Sequence, residues 1–238
     1  MSGIAERLGA VRAQIEDIAR RAGRAPSSVR LVAVSKTMPA EAIRVAYDAG
    51  QRDFGENYVQ EMAAKADALA DLTDLSFHLI GHLQRNKAKV AVRVASAIHT
   101  VDSPRLAEEI GKRAAESPSK GSALFGTHAG QLTVLAEVSV GGEAQKTGCR
   151  PEELGAVLDA IEAQPSLRLV GLMTVPPLTE DPAASRPFFD ALVRLRDASG
   201  GERRLPEIGM GMTLDLEQAI LAGATIVRVG RAIFGERG

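Results

Sequence analysis

The chain has no tryptophan, aromatic residues make up only 3% of its 238 residues, and Cys149 is its single cysteine. So few flat rings leave little to stack on bases, which argues against single-stranded nucleic-acid binding. One thiol excludes an internal disulfide framework and fits a reducing compartment. An excess of either charge is also missing, with 29 basic residues against 30 acidic ones and a net charge of −1. Such a chain would not capture nucleic acid or an anionic membrane electrostatically. No run approaches the roughly 18 apolar residues of a membrane span. Near the N-terminus, Ile4, Leu8, Val11, Ile15 and Ile18 alternate with charges, the stripe of an amphipathic helix and not of a signal peptide. These absences predict a cytoplasmic protein with neither nucleic-acid nor membrane partners.

Hydrophobic residues make up 45% of the chain, enough for a substantial core. Short β-branched runs at 31–34, 52–55, 76–80, 97–101, 133–140, 168–172, 205–208 and 225–229 read as eight strands. Between most of them lie apolar residues three and four apart, as in Ala42, Ile43, Ala46 and Tyr47, or Leu154, Val157, Leu158 and Ile161. Pro39 and Pro151 stand at helix starts, and Gly50 and Gly223 just past helix ends. Alternating strands and helices predict an α/β fold with a parallel sheet. Eight strands without a composition break favour a single closed (β/α)8 TIM barrel, one domain over residues 1–238. An open doubly wound sheet is the runner-up, disfavoured because the first strand-to-helix turn lacks a glycine-rich phosphate motif. The stretch 116–130 is rich in small and turn residues and reads as a mobile, tolerated insertion. The stretch 176–187 holds four prolines and two acidic residues and could overhang the barrel mouth.

Barrels keep their chemistry at the carboxyl ends of the strands. At the first of these stands Lys36, readable either as a solvated loop cation or as an amine aimed at a carbonyl ligand. At the seventh, Gly209 and Gly211 allow close backbone approach, and Thr213 is expected at the N-cap of a helix over 214–222. With Gly230 and the following amide of Arg231 after strand eight, this makes a candidate anion cradle. The alternative is an ordinary capped turn, and Asp215 and Glu217 are charges that a phosphate would have to tolerate. Arg228 interrupts an apolar strand and needs a partner, either in a buried ion pair or as part of a site. An amine, an anion cradle and a buried arginine together suit a ligand with an aldehyde, a phosphate and an acceptor ring nitrogen. Pyridoxal 5′-phosphate (PLP) is such a ligand. An arginine at its ring nitrogen would keep that atom unprotonated and weaken the cofactor as an electron sink. His78 and His82 are four apart, but on a strand and turn, so no metal site is expected. His82 is a candidate lining residue, His99 a core or rim residue, His128 a solvated one, and Cys149 an inert thiol. The basic cluster Arg85, Lys87 and Lys89 reads as a solvated helix face.

The motifs VSKT-P (34–39), FGENYVQE (54–61), HLIGHLQRNK (78–87), GLM (171–173), MGMTLDLEQAI (210–220) and VRVGRAIFG (227–235) run through nearly the whole chain. In their order they resemble the pyridoxal phosphate homeostasis protein family. The resemblance implies the barrel of the alanine racemase N-terminal domain type, with PLP held as an internal aldimine. It implies Lys36 as the Schiff-base lysine and Asn57 as a cofactor contact. It also implies Thr213 and the Gly230–Arg231 turn on the phosphate, Arg228 at the pyridine nitrogen, and Met210 as a further cofactor-binding residue. Gly209 stands where the family usually has serine, so a hydroxyl near the phosphate could be lost. Thr213 replaces a usual serine, and Arg231 stands where a small hydroxyl residue is frequent.

Two functions compete: a protein that holds and releases PLP, and a fold-type III amino-acid racemase. Racemisation needs acid–base groups on both faces of the substrate, and in the racemases a tyrosine from a second domain supplies one of them. The chain stops directly after the barrel, Tyr47 belongs to a core-facing helix pattern, and Tyr58 follows Asn57. The expectation is therefore a non-enzymatic PLP carrier with no catalytic residues, monomeric, with PLP-dependent apo-enzymes as candidate partners.

Overall fold

A computed structural model describes residues 3–117, 123–125, 130–141, 147–177, 179 and 181–235. His128 and most of the stretch 116–130 lie outside the described residues. The elements in chain order are α1 (Ile4–Arg21), β1 (Arg30–Val34), α2 (Ala40–Asp48), β2 (Asp53–Glu56), α3 (Val59–Ala68), β3 (Ser76–Leu79), α4 (Ala88–Val94), β4 (Ala97–Val101) and α5 (Pro104–Glu116). Then follow β5 (Leu132–Glu137), α6 (Leu154–Glu162), β6 (Leu167–Met173), α7 (Arg186–Ala198), α8 (Gly201–Arg204), β7 (Glu207–Gly209), α9 (Leu216–Ala222), β8 (Ile226–Val229) and α10 (Arg231–Phe234). The eight strands pair in sequence order and close into a barrel. Every pairing is parallel, and closure comes through the register Val32↔Arg228 between β1 and β8. All eight expected strands are present, so the closed barrel and not the open sheet is the fold.

Strand residues alternate between two cores, because successive side chains point to opposite faces. Ala33, Phe54, Ile98, Val134, Ala136 and Val227 pack outward under the helices. Val32, Ala97, Leu135, Val170, Met173 and Ile226 fill the barrel interior. Phe125 joins that inner cluster from the turn Ala123–Phe125, with its ring centroid 5.7 Å from His78 and 6.0 Å from His99. Arg30 and Arg168, at the amino ends of β1 and β6, donate to the Leu124 and Phe125 carbonyls at 2.8 and 2.7 Å. The turn Ala123–Phe125, within the supposed insertion, is therefore the floor of the barrel. A single phenylalanine among small polar residues carries no periodic signal, so its burial was not legible.

The last barrel helix, α10, is a single turn, and α1 covers the neighbouring surface with Leu8, Val11, Ile15 and Ile18 buried. Arginines tie it down: Arg7 donates to the Ile233 carbonyl at 2.7 Å, Arg12 to Ala49 at 2.9 Å, and Arg24, just beyond α1, to Ile220 at 3.0 Å. These carbonyls lie in or just past the last turns of α10, α2 and α9, where intrahelical donors run out. Among the described residues no helix is long and apolar enough to cross a membrane.

Candidate functional site

The carboxyl ends of β1, β2, β7 and β8 open into one cavity of about 260 Å³. Lys36, Asn57, Thr213, Arg228, Gly230 and Arg231 all line it. A second cavity of about 280 Å³ adjoins it, sharing Val34, Lys36, Gly230 and Arg231. Met210 does not reach either: it is fully buried among outer-core residues, and its amide donates to the Ile226 carbonyl at 3.1 Å. Gly211 follows with φ +94, a left-handed bend that glycine tolerates, and Met212 lines the cavity in place of Met210. A Cβ at Gly211 would lie 2.4 Å from the Ala219 side chain, so close packing on α9 also requires glycine there.

Thr213 is not the helix N-cap. The helix begins at Leu216 after Asp215, whose carboxylate turns back to accept the Met212 amide at 2.6 Å. Asp215 lines the cavity, and burial pushes its carboxyl pKa up. Glu217 is exposed and pairs with Arg21 at 2.7 Å, outside the cavity. Gly230 allows close contact, since a Cβ there would sit 3.0 Å from the Val34 carbonyl oxygen. The first bond of α10 runs from the Ile233 amide to the Gly230 carbonyl at 2.9 Å, so the amides of Arg231 and Ala232 precede the intrahelical ladder. Behind the lining residue Asn57 packs Gly81, where an added Cβ would be 2.4 Å from the Asn57 carbonyl oxygen.

Arg228 is only 4% exposed. Its guanidinium donates to the Thr174 carbonyl at 2.8 Å and the Gly209 carbonyl at 3.2 Å. No ion pair holds it among the described residues, so of the two readings of Arg228 the buried ion pair is not the one seen, and main-chain oxygens meet its guanidinium. Burial pushes its pKa down to about 10, against the pull of Glu137 and Asp215, and it remains a cation at neutral pH. Gly209 faces this arginine: a Cβ there would be 3.5 Å from a guanidinium nitrogen, so a serine hydroxyl would reach Arg228. Glu137, at the end of β5, went unnoticed in the sequence. It is buried, accepts from the Thr147 hydroxyl at 2.6 Å, and burial pushes its carboxyl up.

The proline-rich stretch does overhang the mouth, with Pro177, Thr179, Pro182 and Ser185 lining the cavity; Leu178 and Glu180 lie outside the described residues. Val34, Ile80 and Val175 supply apolar wall and also escaped the sequence reading. His82 is exposed, 3.6 Å from Asp102, and does not line either cavity. Cys149 is buried, and burial pushes its thiol up to about 12, as befits an inert residue. Tyr47 is half-buried at the amino end of the barrel, its hydroxyl bonded to Asp74 and its ring 3.9 Å from the Arg52 guanidinium. Tyr58 is exposed beside Asn57. Among the described residues no cluster of His, Cys, Asp or Glu could hold a metal ion.

A closed parallel barrel with a lysine at the end of β1 defines the class. Residues 7–238 match the family described as alanine racemase, N-terminal domain. A pyridoxal phosphate homeostasis protein of Aquifex aeolicus is 44% identical over 98% of this chain and 97% of its own length. The solved structure of PipY from Synechococcus elongatus PCC7942, with PLP bound, is 38% identical with a TM-score of 0.80, covering 98% of this chain and all of that one. By these measures the chain belongs to the pyridoxal phosphate homeostasis protein family. Alanine racemase of Clostridium difficile shares the fold alone, at 14% identity and TM-score 0.68, and this chain covers 57% of it.

Proposed function

We propose that the chain holds PLP as a Schiff base on Lys36 and serves the storage, delivery or buffering of that cofactor inside the cell. One observation carries the reading: Lys36, Arg228, Thr213 and Gly230 line the same cavity. The cavity suits the group. Gly230 and Thr213 line it without adding a charge, and Arg228 supplies a cation in the same wall. The aldehyde of PLP supplies a reversible covalent link to a neutral lysine amine, with loss of one water. Thr213, Gly230 and the amide of Arg231 would hold the phosphate, and Asn57 would contact the ring. Arg228 has only donors and stays charged, so it suits an acceptor nitrogen and keeps a proton off it.

That last pairing argues for a carrier over a racemase, because an unprotonated ring is a poor electron sink. Neither tyrosine has the place of a second acid–base group: Tyr47 lies at the far end of the barrel and Tyr58 points to solvent. We read residues 1–238 as one cofactor-holding unit, cytoplasmic and monomeric, with PLP-dependent apo-enzymes as recipients. The test is transfer. Protein loaded with PLP should restore activity to an apo-enzyme, Lys36→Ala should not, and racemase turnover should be negligible. A racemase rate of roughly 1–1000 per second would overturn the carrier reading.

A further inference from the structure

We infer that Lys65, Glu56 and Glu61 form a positioning clamp that sets the backbone at Lys36; the inference rests on Lys36 as the PLP-bearing residue. Lys65 is on α3 and only 6% exposed. Lysine is seldom buried without partners, and this one has a partner for every N–H. Its amine donates to the Ser35 carbonyl at 2.7 Å, Glu56 at 2.6 Å and Glu61 at 2.7 Å. Glu56, at the end of β2, also accepts the Ser35 hydroxyl at 2.6 Å. Glu61 also accepts the Thr37 amide at 2.5 Å. The residues on both sides of Lys36 are therefore tied to one buried cation: Ser35 through carbonyl and hydroxyl, Thr37 through its amide.

The backbone explains what the clamp is for. The Met38 amide bonds to the Ser35 carbonyl at 3.0 Å, closing a four-residue turn with Lys36 and Thr37 at its centre. Thr37 has φ +65, and among the described residues no other non-glycine residue has positive φ. A turn with positive φ at its third position favours glycine, and a β-branched residue there is strained. Flipping the Lys36–Thr37 peptide would let Thr37 relax to negative φ. The N–H of that same peptide is the one Glu61 holds. Strain of this kind persists only where its surroundings over-determine it. Lys65 orients Glu61, Glu61 holds the peptide, and the peptide sets the direction in which Lys36 leaves the end of β1.

The test uses full-length protein and PLP titrations read by the visible absorbance band, with melting temperature measured alongside. Glu61→Ala is expected to keep its fold and bind PLP about tenfold more weakly. Thr37→Gly removes the strain, so adding Glu61→Ala to Thr37→Gly should change affinity by less than about twofold. A role limited to stability would not be rescued in this way. Lys65→Met is expected to act like Glu61→Ala, and Thr37→Gly should rescue it likewise. The inference is overturned if Glu61→Ala binds like wild type, or if its loss is equal with Thr37 and with Gly at that position. In either case a borohydride adduct on Lys36 of the wild type leaves the proposed function standing. A wild type that takes up no PLP overturns both.

Discussion

Inside the barrel, the Asp53 carboxylate meets His78 Nε2 at 2.9 Å, and His78 Nδ1 meets His99 Nε2 at 3.0 Å. Burial, then the neighbouring His78 and Arg228, hold His99 well below the usual histidine value. An unfolded His99 takes up a proton near pH 6.5 while the folded one does not. Stability from this residue is therefore present above that pH and lost as pH falls below it, by up to about 1.4 kcal/mol per pH unit. Thermal melts from pH 7 to 5.5 should show a steeper loss for wild type than for His99→Gln; equal slopes would exclude His99 as a source of acid sensitivity. At this scale the sequence was informative where a residue broke its own pattern. Lys36 and Arg228 were visible as charges set against apolar strands. Met210 and Met212 were indistinguishable, because only the bend at Gly211 decides which of them faces the cavity. Lys65 and Glu61 drew no notice in the sequence, since their contacts to Ser35 and Thr37 reach across to another element.

The strands were legible as elements because β-branched runs alternate with helical periodicity, and their observed ends lie close to the expected ones. Helix starts were less so. The expected start after Thr213 moved to Leu216 because Asp215 spends its carboxylate on the preceding Met212 amide. The turn Ala123–Phe125 was read as part of a dispensable insertion, yet Phe125 is 7% exposed and closes the barrel interior. Phe125→Ala should destabilise the protein by about 3–5 kcal/mol, the usual cost of emptying a buried phenylalanine site. Chemical denaturation would measure it; a change below about 0.5 kcal/mol, the surface-substitution range, would show that the floor does not support the barrel.

At the scale of the whole molecule, closure of β8 on β1 brings the two ends of the sequence together. Val32 pairs with Arg228, and Gly230 packs on Val34. A lysine near residue 36 and an arginine near residue 228 thereby share one cavity, although most of the chain separates them. In the proposed function, Lys36 is the residue that carries PLP. The most direct measurement is borohydride reduction of the PLP-loaded protein followed by peptide mass spectrometry. One stable adduct is expected, on Lys36 and absent from Lys36→Ala. An adduct confined to another lysine, or none on a wild type saturated with PLP, would contradict it.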